Sequence, residues 1–238
     1  MFLAAVFGVA VLSGATASLV GFGIGSMLTP LLALQLGMDT AVAAVALPHA
    51  VATAIRCWRL RRSIDWNVLK RFGVLSAIGG LAGALVYTTL DAGVLKRVLG
   101  GLLILTSIAQ FSGLASRWHP KGATVALLGL GSGFFGGIAG NQGGLRAAAL
   151  SAFALSPLAF VATSTATGLL IDAARTPVYL YSAGSTVLAL WTPIAVATAG
   201  VIAGTLLGER VLLGMSRERF GLVVAAAVGL LGLWLLVA

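Results

Sequence analysis

Four ionisable side chains lie inside long apolar stretches of this 238-residue chain, away from its charged loops. They are His49, Arg146, Asp172 and Arg175. Because a charged group inside a lipid bilayer is costly, each of the four is a candidate functional residue. An arginine can bind an anion, a carboxylate can bind a coupling cation, and an imidazole can carry a proton.

Arg146 follows a polar, glycine-rich run, which makes it a candidate anion ligand. The run reads Asn141-Gln-Gly-Gly-Leu-Arg146, and we expect a helix to restart there. A helix N-terminus exposes N–H groups and carries partial positive charge, so it attracts anions. Arginine adds paired donors that suit carboxylate, sulfonate or phosphate groups. The alternative is a structural role, in which Arg146 pairs with Asp172 and holds helices together.

Asp172 and Arg175 are three residues apart, so they can pair along one helix face. Pro177 follows closely and could kink that helix. A neutralised pair is the least costly way to keep two charges in a membrane. The alternative is that Asp172 binds a coupling proton or sodium ion, or exchanges partners between Arg175 and Arg146.

His49 is a candidate proton relay, because an imidazole changes charge near neutral pH. The alternatives are a buried imidazole with satisfied hydrogen bonds and a residue that lines a polar cavity. Small hydroxyl residues crowd the equivalent stretch of the second half: Thr163, Ser164, Thr165 and Thr167. They offer hydroxyls to an anion, or they pack helices together as small residues do. His49, Asp172 and Arg175 are the predicted coupling or gating residues.

Two glycine-rich breaks must position these groups: Gly21-Phe-Gly-Ile-Gly25 and Gly136-Gly-Ile-Ala-Gly-Asn-Gln-Gly-Gly144. They fall at matching places in two halves, since a shift of 118 residues lays Gly25 on Gly143. Apolar segments interrupted at equivalent positions are typical of transporters with a substrate site near the bilayer midplane. The predicted substrate site combines both breaks: Gly25, Ser26, Asn141, Gln142, Gly143, Gly144 and Arg146.

Composition indicates an integral membrane protein without a soluble domain. Hydrophobic residues make up 59% of the chain, charged residues 9%, and the mean hydropathy is +1.07. The net charge of +9 comes from basic residues in short loops, which report membrane orientation and do not indicate nucleic-acid binding. Cys57 is the single cysteine, and no Cys/His spacing fits a metal site. We therefore expect neither metal nor cofactor.

Each half reads as a long broken segment followed by three spans. The predicted elements are 1–36, 40–55, 72–90 and 95–112, then 122–155, 157–179, 187–208 and 220–237. The first segment would be about 50 Å long as one helix, against about 30 Å of hydrocarbon, so it must fold back or tilt. Glycines spaced four apart, such as Gly79, Gly80, Gly83, Gly200 and Gly204, predict close helix contacts.

The predicted fold is an all-α polytopic membrane protein with two inverted repeats, each a glycine-broken re-entrant or hairpin segment plus three transmembrane helices. Residues 1–112 form the first repeat, 113–121 a cytoplasmic linker and 122–238 the second repeat.

The distribution of basic residues favours inversion over a parallel arrangement. Under inversion one face holds eleven basic residues and the other only Lys96 and Arg97, whereas a parallel arrangement divides them eight to five. The eleven are Arg56, Arg59, Arg61, Arg62, Lys70, Arg71, Arg117, Lys121, Arg210, Arg217 and Arg219. The positive-inside rule makes this face cytoplasmic and puts both termini outside. We interpret the basic loop from Arg56 to Arg71 as setting orientation and contacting anionic lipid headgroups, and the alternative is a specific regulatory or partner site.

The chain presents, in order, a glycine-rich break, a turn at Gly37, a helix, a basic loop ending at Asp65-Trp66 and a glycine-spaced third span. Two motifs follow in the second half, Gly140-Asn-Gln-Gly-Gly-Leu-Arg146 and Asp172-Ala-Ala-Arg175-Thr-Pro177-Val-Tyr179. Over essentially the whole chain, this order resembles the sulfite exporter TauE/SafE family of permeases. The resemblance implies a permease for sulfite, organosulfonates or other small sulfur-containing or organic anions.

We therefore hypothesise a secondary transporter that exports a small anion such as sulfite or an organosulfonate across the cytoplasmic membrane. It would work by alternating access and be coupled to an ion gradient. Its partners would be the anion, a proton or sodium ion and the lipid bilayer, with a homodimer left open. The alternatives are a permease for another small organic acid and a non-transporting scaffold or assembly protein. An enzyme is not expected, because the spans hold neither paired carboxylates nor a Ser/His/Asp set.

Overall fold

The computed structural model describes residues 1–113, 120–140, 143–211 and 217–237, and within these ranges the chain is helical without strands. The first half contains α1 (Phe2–Val20), α2 (Ile24–Leu36), α3 (Met38–Leu60), α4 (Trp66–Tyr87) and α5 (Ala92–Phe111). The second contains α6 (Ala123–Ala139), α7 (Gly143–Leu150), α8 (Pro157–Ala189), α9 (Trp191–Val211) and α10 (Arg217–Val237). The predicted all-α class is confirmed.

Six of the described helices are long and apolar enough to cross a membrane: α1, α3, α4, α5, α8 and α9. Three shorter apolar helices accompany them, Ile24–Leu36, Ala123–Ala139 and Gly221–Val237. The chain is therefore a multi-pass membrane protein. The boundaries of 1–112, 113–121 and 122–238 stay a prediction, because residues 114–119 lie outside the described ranges.

Both long apolar segments are broken into two helices at the glycine-rich runs, as predicted. Gly21 ends α1 in the left-handed conformation with φ 88°, and Gly23 precedes α2 with φ 134°. Gly140 ends α6 in the same way with φ 70°. A side chain rarely adopts such angles, so glycine lets the helix stop and the chain turn inside the bilayer.

The predicted boundary between two helices of the second half is wrong. The helix predicted for 157–179 continues as α8 to Ala189, and α9 begins only at Trp191. Pro177 lies within α8 without ending it, and the backbone leaves helical geometry at Ala183, with φ −132°. Proline is tolerated inside membrane helices because neighbouring groups satisfy the backbone carbonyl that it frees.

Close glycine packing joins α1 to α9 and α4 to α6. A Cβ at Gly204 would overlap the carbonyl oxygen of Val11, and one at Gly83 would overlap that of Phe134. Contacts of this kind confirm the packing predicted for the following residues: Gly79, Gly80, Gly83, Gly200 and Gly204. Small residues let helix backbones approach closely where lipid offers no hydrophobic drive for association.

Equivalent helices of the two halves have equivalent packing partners. The first helix of each half packs on the fourth helix of the other half, and α5 packs on α10. The equivalent helices α3 and α8 also pack together, and their contacts run antiparallel: His49 meets Asp172, while Arg56 meets Thr165. Antiparallel equivalent helices are what inverted repeats require, so these contacts favour the inversion, which stays a prediction.

We expect Gly133→Ala to destabilise the protein by about 1–3 kcal/mol, the usual cost of overpacking. A Cβ at Gly133 would overlap the backbone carbonyl of Ser76 on α4, whereas nothing lies within 4 Å of a Cβ at Gly131 on the same helix. Gly131→Ala is the matched control and should keep or raise the melting temperature, because alanine favours a helix over glycine. Thermal denaturation in detergent compares the two variants. Equal melting temperatures would contradict the close contact.

Candidate functional site

The two glycine breaks, one from each half, touch each other. Gly143, the first residue of α7, lies against the ring of Phe22 so closely that a Cβ would overlap it. At Gly140 a Cβ would lie 3.7 Å from the hydroxyl oxygen of Thr29 on α2. The predicted meeting of the breaks thus rests on direct contacts between residues far apart in sequence.

Arg146 fastens these breaks to α8. The side chain is 2% exposed, and its Nε donates a hydrogen bond to Ser164 Oγ at 2.9 Å. Its Nη2 donates to the carbonyl oxygen of Gly21 at 3.1 Å. The guanidinium therefore bridges the first break, the restarting helix α7 and the hydroxyl-rich part of α8.

The third nitrogen of Arg146, Nη1, is the one that could bind a ligand. Nη1 is buried and has no hydrogen-bond partner among the described residues. It lies next to Gly168, where a Cβ would stand only 2.9 Å from it, so glycine leaves room there. Within the described ranges Arg146 forms no ion pair, and Asp172 bonds to other partners. A buried guanidinium with a free donor and no paired carboxylate is suited to hold an anion.

Asp172 binds two cationic or ionisable side chains at once. Its Oδ2 lies 2.6 Å from His49 Nδ1. Its Oδ1 accepts from Arg175 Nε at 3.0 Å and lies 2.8 Å from Arg175 Nη2. The predicted pair of Asp172 and Arg175 is present, and His49 on α3 completes a buried triad with them. An ion pair with this many hydrogen bonds lets charges persist inside the membrane.

This triad is attached to the second break. Arg175 Nη1 donates to the carbonyl oxygen of Gly136 at 2.6 Å, and the hydroxyl of Tyr179 donates to that of Gly137. Both carbonyls belong to the last turn of α6, and that of Gly136 also accepts from the backbone N–H of Gly140 at 3.0 Å. A change in the protonation or partners of Asp172 would therefore act directly on the end of α6.

The four crowded hydroxyls near the start of α8 bond to protein groups. Thr163 accepts from the backbone N–H of Asp65 at 3.0 Å, and Ser164 accepts from Arg146. Thr165 accepts from Arg56 Nε at 2.9 Å, while Thr167 donates to the carbonyl of Thr163. Of the two interpretations of these residues, helix-to-helix contact describes the observed bonds.

Arg56 is the residue whose location sequence reasoning missed. It was assigned to the basic loop, but it lies inside α3, is 5% exposed and bonds to Thr165. The spacing along the chain could have indicated this location. His49, Thr53 and Arg56 are separated by four and three residues, which places them on one helix face. The end of the apolar stretch was therefore predicted too early.

The other predicted site residues lie around the breaks. Gly25 and Ser26 are buried in the first turn of α2, where Ser26 lines a cavity of about 20 Å³ with Phe22 and Gly23. Gly144 belongs to the first turn of α7. Asn141 and Gln142 lie outside the described residues. Among the described residues, no group of three or more His, Cys, Asp or Glu could hold a metal ion.

The comparisons with known proteins agree with the resemblance noted in the sequence. The family described as Sulfite exporter TauE/SafE matches residues 6–235. Neither the search of curated proteins nor that of solved structures gave a significant match. The match extends over both glycine breaks, Arg146 and the buried triad, and it covers nearly the whole chain, which therefore belongs to the sulfite exporter TauE/SafE family.

Proposed function

We propose that this protein is a secondary transporter that exports a small oxyanion, such as sulfite or an organosulfonate, across the cytoplasmic membrane. The observation that carries the proposal is the buried guanidinium of Arg146, which Ser164 on α8 and the Gly21 carbonyl of the first break hold in place, and whose Nη1 has no partner among the described residues. Membership of a transporter family coarsely supports the expectation that the chain is not an enzyme. The identity of the anion, the coupling to an ion gradient and the alternating-access mechanism belong to this proposal.

Arg146 is oriented for anion binding before the ligand arrives. Two of its three nitrogens are fixed by Ser164 and the Gly21 carbonyl, so the planar guanidinium has little freedom left to lose on binding. The N-terminal turn of α7, which begins at Gly143, adds partial positive charge on the same helix. Together these groups would replace the hydration of a small anion.

Binding at this place bears on both halves of the protein. An anion on Nη1 would sit beside Gly168 on α8, while Nη2 of the same guanidinium holds the Gly21 carbonyl of the first break. Its charge would compensate that of Arg146 and strengthen the link between α7, α8 and the first break. Release towards either side then requires the halves to move relative to each other, as in alternating access.

The buried triad of His49, Asp172 and Arg175 is our candidate for coupling. Asp172 can neutralise Arg175 or accept a proton or sodium ion, and it cannot do all of these equally well at once. Arg175 also binds the end of α6 through the Gly136 carbonyl. A change in the protonation or partners of Asp172 would therefore alter the contacts of the second break. Such a link between a cation site and an anion site is what coupled transport needs.

Counterflow in proteoliposomes tests the proposed function. The purified protein is reconstituted with a high internal concentration of unlabelled sulfite, and uptake of labelled sulfite is followed under anaerobic conditions. We expect saturable accumulation that sulfonates inhibit. A parallel series with small carboxylates tests the alternative of an organic-acid permease. Absence of counterflow for every anion, with protein that is monodisperse and inserted, would contradict the proposal.

We expect His49→Gln to separate exchange from coupling. Glutamine can still donate a hydrogen bond to Asp172, but it cannot carry a proton. Thr53 remains beside position 49, and Arg175 remains paired with Asp172. Counterflow should stay within about threefold of wild type, while transport driven by an imposed proton gradient should fall about tenfold or more. Unchanged proton-driven transport, or a dependence on a sodium gradient alone, would rule out a proton relay at His49.

A further inference from the structure

A cavity of about 180 Å³ opens at the C-terminal end of α3. Three helices enclose it, and its lining consists of Ser18 from α1, Arg56, Arg59 and Leu60 from α3, and Thr205 and Leu206 from α9. Neither the substrate site nor the triad includes any of these residues. The cavity is large enough for several water molecules, whose share of liquid volume is about 30 Å³ each, and hence for a small oxyanion.

Two of the residues that line the cavity carry a buried polar atom without a partner among the described residues. Arg56 is 5% exposed and Thr205 is 7% exposed. Arg56 Nη1 and Thr205 Oγ1 have no hydrogen-bond partner among the described residues. Arg59 contributes a second guanidinium that is exposed to the outside. Buried donors are usually satisfied, so two unpartnered donors on residues that line a cavity with two guanidinium groups indicate a site for an anionic acceptor.

This cavity lies next to the Arg146 site. Arg56 bonds to Thr165, and Arg146 bonds to Ser164, its neighbour on α8. On the other side, Ser18 lines the cavity and lies one helical turn before Gly21, whose carbonyl binds Arg146. Two guanidinium groups therefore flank the same turns of α8 and of α1, and within the described part of the chain the Nη1 of each has no partner.

We propose that the Arg56 cavity is a second oxyanion site, a station between the strongly basic face and Arg146. The proposal rests on the proposed function, since it names the route by which the transported anion reaches Arg146. Two adjacent sites of moderate affinity let an anion enter without being trapped, because the anion can leave one arginine as it binds the next. The ligand class is a small oxyanion bearing one or two negative charges. A lipid phosphate has the same chemistry at its oxygens.

Equilibrium binding of labelled sulfite to the protein in nanodiscs of phosphatidylcholine tests this station. We expect two molar equivalents for wild type, one for Arg56→Gln and one for Arg146→Gln. The matched control is Arg62→Gln, an exposed arginine from the same basic region, which should bind two. Thr205→Val removes a hydroxyl while preserving side-chain shape, and it should weaken one equivalent about tenfold even if Arg56→Gln does not fold.

Each other outcome overturns the station in a distinguishable way. A single equivalent in wild type that only Arg146→Gln removes, with Thr205→Val unchanged, would refute the second site and leave the proposed function standing. No binding to wild type would contradict the proposed function as well. If the equivalent that depends on Arg56 disappears in phosphatidylglycerol nanodiscs at about 0.5 M salt, which screens surface charge, a lipid phosphate occupies the cavity. That result would overturn a station on the transport route.

Discussion

Replacing Arg146 with glutamine is expected to abolish sulfite counterflow, lowering its initial rate about 100-fold or more. Removing one partner of a buried charged hydrogen bond costs about 2–5 kcal/mol, and each 1.4 kcal/mol is a factor of ten. Glutamine keeps polarity at the site but removes the positive charge and the free Nη1. Initial rates in proteoliposomes, normalised to inserted protein, provide the measurement.

Two further variants serve as controls for Arg146→Gln. Arg62→Gln makes the same chemical change at an exposed arginine and should leave counterflow unchanged. Arg146→Lys keeps the charge, but an ammonium cannot reproduce the planar fork that binds both Ser164 and Gly21, so we expect little rescue. Counterflow near the wild-type rate in Arg146→Gln would remove Arg146 from the anion site.

Asp172→Asn is expected to destabilise the folded protein by about 3–5 kcal/mol and to stop gradient-driven transport. The change leaves Arg175 buried without its carboxylate, and breaking a buried ion pair from one side has a cost of that size. His49 loses its short contact with Oδ2 at the same time. The apparent melting temperature in detergent and transport under an imposed ion gradient measure the two effects.

A double variant separates loss of the pair from loss of a single charge. Asp172→Asn combined with Arg175→Gln should be less destabilised than Asp172→Asn alone, because no unpaired guanidinium remains. Asp91→Asn is the control, since Asp91 is exposed and only caps α5, a task that asparagine performs as well. A melting temperature for Asp172→Asn equal to that of Asp91→Asn would show that the triad does not hold α3 and α8 together.

Local features of the sequence were sufficient to predict much of the architecture. Glycine runs inside apolar segments predicted the breaks at Gly21–Gly23 and Gly140, because only glycine readily adopts the backbone angles seen there. Spacing of three residues predicted the pair of Asp172 and Arg175. The four-residue glycine spacing at Gly79 and Gly83 predicted close packing, although not against which helix.

The sequence predicts that the two breaks meet, but it does not indicate which side chains of the two halves bond to each other. Nothing local indicates that Arg146 binds the carbonyl of Gly21, 125 residues away, or that His49 joins Asp172. Arg56 was placed in a loop because basic residues follow it, although helical spacing from His49 carries it into the buried face of α3. The prediction that a helix ends near Pro177 was wrong for a similar reason. The local rule for proline does not include the hydrogen-bond partners that neighbouring helices offer inside a membrane.

Locating a bound anion is the most direct test of the site between the breaks. A crystal structure with selenite, the selenium analogue of sulfite, recorded at the selenium absorption edge would show the anion by its anomalous signal. We expect the signal beside Arg146, with an oxygen about 2.7–3.0 Å from Nη1 and Gly168 of α8 adjacent. Selenite bound elsewhere, with Arg146 Nη1 bonded to a protein group, would contradict the assignment of Arg146 as the anion ligand.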